Sequence, residues 1–484
     1  MPETRPRTVL AIVCLGVVLS SLDMFIVNVA MPSLSRGFGG ASLASLSWVL
    51  NAYTVTFAAL LVPAGRLADR YGRRGGFLLG VAIFTAGSAL CAAATGVGTL
   101  VAFRVIQAAG GALLMPTSLG LVLAAYPPER RGGAVRTWAS MGGVAAALGP
   151  VVGGLLVTAS WRWIFLVNVP VGVLALVAGA RLLPRPASER QPLPDLPGAL
   201  LLAAGIASFT LALVRGHDWG WSSGRVLGAL AAAGVLIAAF LYRCARHTSP
   251  VLEFALLRLP GFSVATTVSF LFSVGFGAML LSTVLWLQDV WDWSALRAGL
   301  AVVPGPALVP VFGAVAGRLI PVLKPGRVIA LGCAVFSAGV AYWAVNADPH
   351  PDYLGHVLPG MLLTGTGVGL AMPTIFSSAS ASVPAHRFST GSAVVSMARQ
   401  LGFVVGVAVL VAVLAGTADP VAAFRHGWLV IAAVMLSSAA AALLLPVPAP
   451  PDVSAGLSRA PQDSPAADGR HHRPPVQVAP SPAE

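Results

Sequence analysis

Asp23 is a carboxylate inside an apolar run, Val9 to Ala30, that is otherwise uncharged. A charge held near the centre of a bilayer costs about 2.5–3.5 kcal/mol on insertion scales, so an acid kept there points to ion pairing or proton transfer. Arg104 and Gln107 lie three residues apart in a second apolar run and therefore share one helix face. An arginine stays charged and cannot carry a proton at neutral pH, but it stabilises an ionised carboxylate nearby. The same residues fit a proton-linked site or a static ion pair between the first and fourth spans. Arg399 and Gln400 sit within another apolar run, about ten residues and some 15 Å from its near end; they fit a path lining or a snorkelling anchor. Asn28 is a further candidate for the substrate path.

Two other patterns concern motion. The segment GRLADRYGRR, Gly65 to Arg74, places Gly65, Asp69, Arg70, Gly72 and Arg73 at a turn between apolar runs. Gly65 permits a close helix approach, and Asp69 can accept from helix-end N–H groups or pair with arginine, a contact that forms in one conformation and breaks in another. Gly149, Pro150, Gly153 and Gly154 put small residues on one helical stripe and remove one backbone donor, giving a close and bendable contact. Pro304, Gly305, Pro306 and Pro310 make another run irregular. No glycine-rich phosphate loop, nucleophile–base set or metal-ligand spacing is present, so the chain is read as a non-enzyme with no cofactor and no metal.

These residues must be held by membrane spans. The 484-residue chain is 57% hydrophobic and only 10% charged, with a mean hydropathy of +0.83, whereas a soluble domain carries about 25% charge. Windows of about 20 apolar residues can each cross a bilayer, and fourteen are expected: 8–34, 46–64, 76–96, 99–122, 137–158, 163–182, 196–214, 225–243, 261–287, 298–320, 327–346, 354–379, 390–414 and 425–446. With both termini cytoplasmic, 22 of the 30 Lys and Arg residues fall on the inner side, six on the outer, and Arg104 and Arg399 within spans, as the positive-inside rule requires. The net charge of +13 is thus topological, without a basic stripe for nucleic acid. By the same topology ten of eleven tryptophans lie near the outer face and Trp138 near the inner one, through interfacial anchoring or loop packing. Asp289 and Asp292 read as solvated charges of an outer loop. Cys14, Cys91, Cys244 and Cys333 imply no disulfide framework. The first run is read as a retained span rather than a signal peptide.

A duplication is visible. GRLADRYGRR after the second span is echoed by GRLIPVLKPGR, Gly317 to Arg327, after the tenth. The expected organisation is a six-helix bundle in 1–185, two inserted helices in 186–260, a second six-helix bundle in 261–446, and a disordered cytoplasmic tail in 447–484 rich in Pro, Ala and Ser with His471 and His472.

Gly65 to Arg74 resembles the loop signature between spans two and three of the major facilitator superfamily. Three further stretches resemble motifs of its fourteen-span drug:proton antiporter family: Asp23 to Pro32 in span one, Arg104 to Ala112 in span four, and Gly149 to Gly154 in span five. Trp161 to Pro170 is also typical of that family. The resemblance covers about residues 8–446 and implies an all-α membrane protein with the major facilitator fold, two six-helix bundles plus two extra helices. It implies a role in proton coupling for Arg104, with Asp23 as the matching acid, and a seal biasing the protein towards export for Gly149, Pro150, Gly153 and Gly154. The resulting expectation is a monomeric, proton-coupled efflux antiporter of small organic molecules in a bacterial cytoplasmic membrane, energised by the proton gradient, with protons, substrate and the lipid bilayer as its partners. An uptake symporter on the same fold and a non-transporting receptor stay open as alternatives.

Overall fold

The structure, a computed structural model, describes residues 6–184, 193–383 and 388–446; the tail with His471 and His472 lies outside them. Among the described residues there are helices and no strands. The first bundle comprises α1 (Pro6–Gly37), α2 (Leu43–Tyr71), α3 (Arg73–Ala92), α4 (Val97–Ala125), α5 (Pro128–Ala159), α6 (Trp163–Leu166) and α7 (Asn168–Leu182). Two further helices follow, α8 (Leu196–Trp219) and α9 (Gly224–Arg246), then a short α10 (Phe254–Leu257). The second bundle comprises α11 (Pro260–Leu285), α12 (Ala295–Val302), α13 (Pro304–Leu323), α14 (Pro325–Val345), α15 (Leu358–Ala381), α16 (Phe388–Ala415) and α17 (Pro420–Leu443). We call the end where α1 begins basal and the opposite end distal.

Thirteen of these helices or broken-helix pairs are long and apolar enough to cross a membrane. The fourteenth expected span, 137–158, corresponds to α5, whose apolar stretch is only Val144–Ala159; its basal part is diluted by Arg130, Arg131 and Arg136. Helix starts follow the sequence. Ser42, Asp195, Ser223, Ser294 and Asp419 each accept a backbone N–H at the start of the following helix. Proline accounts for the breaks. Pro170 offers no donor to the carbonyl of Leu166, where α6 gives way to α7, and Pro304 with Pro306 follows the interruption at Val303.

The duplication is physical. Gly72 joins α2 to α3 with φ 107°, and Lys324 joins α13 to α14 with φ 69°, so the echoed motifs make the same one-residue corner. Gly80 and Gly110 bring α3 against α4, and Gly332 and Gly367 bring α14 against α15. In both pairs an added Cβ would meet backbone atoms of the facing helix, the small-residue contact that helices in lipid rely on.

The two bundles meet distally. Residues 26–31 of α1 are all buried, as are 281–288 at the end of α11, and both stretches join one apolar cluster. A helix buried all round is enclosed by protein on every side. The basal stretches of the same two helices alternate between buried and partly exposed residues. The inserted α8 packs on both α2 and α16, one helix from each bundle. The tryptophan expectation resolves towards packing: Trp286, Trp291, Trp343 and Trp428 are buried against one another or against Phe424, whereas Trp163 and Trp221 are exposed. Asp289 and Asp292 are exposed at the distal end.

Candidate functional site

Asp23 and Arg104 meet in the interior of the first bundle. Arg104 donates from Nη1 to Asp23 Oδ2 at 2.5 Å and to Gln107 Oε1 at 2.7 Å. Gln107 donates from Nε2 to Asp23 Oδ1 at 2.8 Å and to Ser88 Oγ at 2.7 Å. Asn168 donates from Nδ2 to the same Asp23 Oδ1 at 3.0 Å. The Arg104 Nε–H is taken by the carbonyl of Val49 at 3.1 Å, and the guanidinium lies 4.0 Å from the centre of the Tyr53 ring. Asp23 is 0% exposed and Arg104 1%.

Each element contributes for a local reason. Arg104 and Gln107 point the same way because they are one helical turn apart on α4. Gly87 of α3 lies against the backbone of Gln107, which brings Ser88 within reach. The break between α6 and α7 sets Asn168 at the first position of α7, facing α1. A buried charge pair is tolerated only when its remaining donors and acceptors are met, and here the carboxylate accepts three hydrogen bonds. The arrangement aims one cation and two amide donors at the Asp23 carboxylate, and loss of that charge would release Arg104 from its carboxylate partner.

Gln107, expected on the substrate path, belongs to this cluster. Asn28 lies five residues from Asp23 and outside the cluster; it donates to the carbonyl of Met24 at 3.0 Å and leaves its Oδ1 buried without a partner. Arg399 and Gln400 sit on α16 in the other bundle. Ser88, Asn168 and Tyr53 are members that sequence reasoning did not single out. Serine and asparagine in apolar spans were the available signal, but many others carry it, and only packing selects these.

At the basal turn, Asp69 accepts from Arg73 Nε at 2.7 Å, while Arg73 Nη1 donates to the carbonyl of Gly120 near the end of α4 at 3.3 Å. Gly65 meets Pro116 of α4, and Gly72 supplies the corner. Arg70 stands beside the Tyr71 ring. The motif also reaches outside its own bundle, since Arg66 donates to Ser249 and to Glu253, the latter at 2.9 Å. Arg66 was not singled out from the sequence, because a loop arginine fits the positive-inside pattern without a partner.

The span-five glycines lie at the distal seam. Gly149 and Gly153 face Phe25 and Ile26 of α1, two and three residues after Asp23. Gly154 faces the backbone of Ala295 and Leu296 on α12, and the carbonyl of Pro150 faces Gly299. One stripe of α5 thus touches the site helix with one edge and the other bundle with the next. Nearby, Gln288 donates to the carbonyl of Val29 at 3.0 Å, a hydrogen bond between the bundles.

Comparison with known proteins agrees with this architecture. Residues 13–407 match the family model of the Major Facilitator Superfamily. The chain is 33% identical over 419 residues to a probable actinorhodin transporter of Streptomyces coelicolor, covering 84% of this chain and 72% of that one. It is 33% identical over 426 residues to a tetracenomycin C resistance and export protein of Streptomyces glaucescens, covering 88% and 78%. It is 33% identical over 407 residues to a methylenomycin A resistance protein of Bacillus subtilis, covering 83% and 86%. Among solved structures, a peptide transporter in complex with sulfate superposes with a TM-score of 0.65 at 18% identity, covering 90% of this chain and 93% of that one, which speaks to the fold alone. With the paired bundles, the corner motif and these relatives in agreement, the chain belongs to the major facilitator superfamily.

Proposed function

We propose that this protein is a proton-coupled antiporter that exports small organic molecules, of the drug or antibiotic class, across a bacterial cytoplasmic membrane by alternating access. The observation that carries the reading is the Asp23–Arg104 pair, fully buried at membrane depth with every oxygen of the carboxylate engaged. A group with no exposure cannot exchange a proton with either side, so coupling through Asp23 requires the bundle around it to open and close. Export as the direction draws on the resistance and export roles printed for the relatives. The excess of Lys and Arg at the basal loops supports a cytoplasmic basal end.

The buried distal cluster and the partly exposed basal stretches of α1 and α11 support reading this conformation as one closed outward. In this mechanism Asp23 takes a proton from the outer side when the distal seam is open. Protonation weakens its hold on Arg104 and favours closure of the seam through the α5 stripe. The proton then leaves to the cytoplasm as substrate enters between the bundles, and the Asp69 corner locks the basal side when the protein next faces out. Each ligand shifts the states only through its differential affinity for them. The test is efflux from energised vesicles by Asp23→Asn. The expected outcome is loss of uphill, proton-dependent export with downhill exchange retained; uphill export at the wild-type rate would remove Asp23 from the role.

A further inference from the structure

The first bundle neutralises its buried arginine from within, and the second does not. Arg399 is the twelfth residue of α16, about 16 Å from the basal start of that helix. Among the described residues it has no hydrogen bond and no ion pair. Its Nε is buried without a partner, and its one charged-group contact is the ring of Phe376 on α15, 5.8 Å away. The acids of residues 254–446 are Asp289, Asp292, Asp348, Asp352 and Asp419, and all of them lie in distal connections, at the other end of the bundle.

A second unpartnered group lies on the neighbouring helix, α11. Gly402 faces the carbonyl of Phe270 and Gly406 faces that of Val274, so α16 and α11 run side by side with a constant offset. One turn nearer the basal end, that offset sets Thr266 level with Ala398, the residue before Arg399, on the α11 face that carries Phe270. The Thr266 hydroxyl is buried and has no partner. Arg399 itself keeps partial exposure, so a ligand can reach it. A guanidinium presents five N–H donors and no acceptor, and its strong partners are anionic oxygens met by two parallel hydrogen bonds. Phe376 adds an aromatic surface beside it.

We propose that Arg399, with Phe376 beside it and Thr266 one register position away on the neighbouring helix, binds the anionic group of the exported molecule, which makes the substrate an organic anion bearing a carboxylate or phenolate next to an aromatic or apolar body. The proposal rests on the export reading above for the word exported, but the binding site does not depend on proton coupling. A snorkelling anchor is the alternative, and it predicts no discrimination between ligands.

The test uses the purified full chain and three probes of one shape: 1-naphthoate, the neutral 1-naphthamide and the cationic 1-naphthylmethylammonium, each titrated calorimetrically. Naphthoate is expected to bind about tenfold tighter than the amide, the size of one charge-assisted contact, and the cation weakest. Arg399→Gln should bring naphthoate to the level of the amide. Arg399→Lys, which keeps the charge without the planar fork, should retain part of the preference, and Thr266→Val should reduce it by a smaller factor. Where Arg399→Gln fails to fold, the lysine and valine variants carry the comparison. Equal affinity for naphthoate and the amide, no naphthoate binding, or a preference that survives all three substitutions would overturn the site. Because the titration needs no gradient, failure of the Asp23→Asn efflux test leaves this result standing, and failure here leaves proton-coupled export untouched.

Discussion

The two bundles share a packing scaffold and differ in what it holds. In the first, Gly87 of α3 faces Gln107 of α4, and Gly110 lies three residues further on against Gly80. In the second, Gly339 of α14 faces Thr364 of α15, and Gly367 lies three residues further on against Gly332. On this register the place of Arg104, three residues before Gln107, is taken by Met361, three residues before Thr364. Met361 is buried against Gly305, and Thr364 bonds only to the carbonyl of Met361. One helix pair therefore supports a charged network, and its counterpart closes with a thioether and a hydroxyl. The glycines are enough to pack the helices. The Asp23 cluster is an addition that the matching helix pair of the second bundle packs without.

The largest expected effect comes from making the first bundle resemble the second. Arg104→Met leaves Asp23 buried without its cation and should destabilise the protein by about 3–5 kcal/mol, read as thermal unfolding in detergent. Asp23→Asn combined with Arg104→Met should recover most of that loss and still not drive uphill export. If the double variant is as unstable as the single one, the charges are structural and the comparison above is broken.

The scaffold can be tested symmetrically. Gly110→Val and Gly367→Val each push a side chain into the backbone of the facing helix and should cost about 1–3 kcal/mol, similarly in both bundles. A large loss in one bundle with tolerance in the other would show that the glycine pairs are not equivalent. The smallest effect concerns the corners. Gly72 and Lys324 both adopt positive φ, which glycine accepts and other residues resist by roughly 1 kcal/mol. Gly72→Ala should destabilise by about that amount, and Lys324→Gly should be neutral or slightly stabilising, both measurable as shifts in melting temperature.

Much of this molecule was legible before any coordinates. Fourteen helical segments followed from runs of apolar residues, because in lipid a backbone without water must satisfy its hydrogen bonds within the helix. The corner motif and its echo marked the duplication, since glycine and proline at fixed spacing constrain the backbone directly. Asp23, Arg104 and Arg399 stood out because a charge in an apolar run is costly wherever the chain folds. Span five was the least legible helix: its small and basic residues carry little hydropathy, and its packing against α1 and α12 is visible only in the fold.

Sequence by itself thus determined the spans, the repeat and the few charges placed inside them, all properties of local composition and spacing. Tertiary structure decided which charge is answered. Asp23 and Arg104 are 81 residues apart, and Asn168 joins them across 145. No periodicity encodes such distances, because they depend on how α1, α3, α4 and α7 pack side by side. The same packing sets Arg399 against the Phe376 ring with no carboxylate partner among the described residues, an outcome that depends on how α15 and α16 come together rather than on any local pattern.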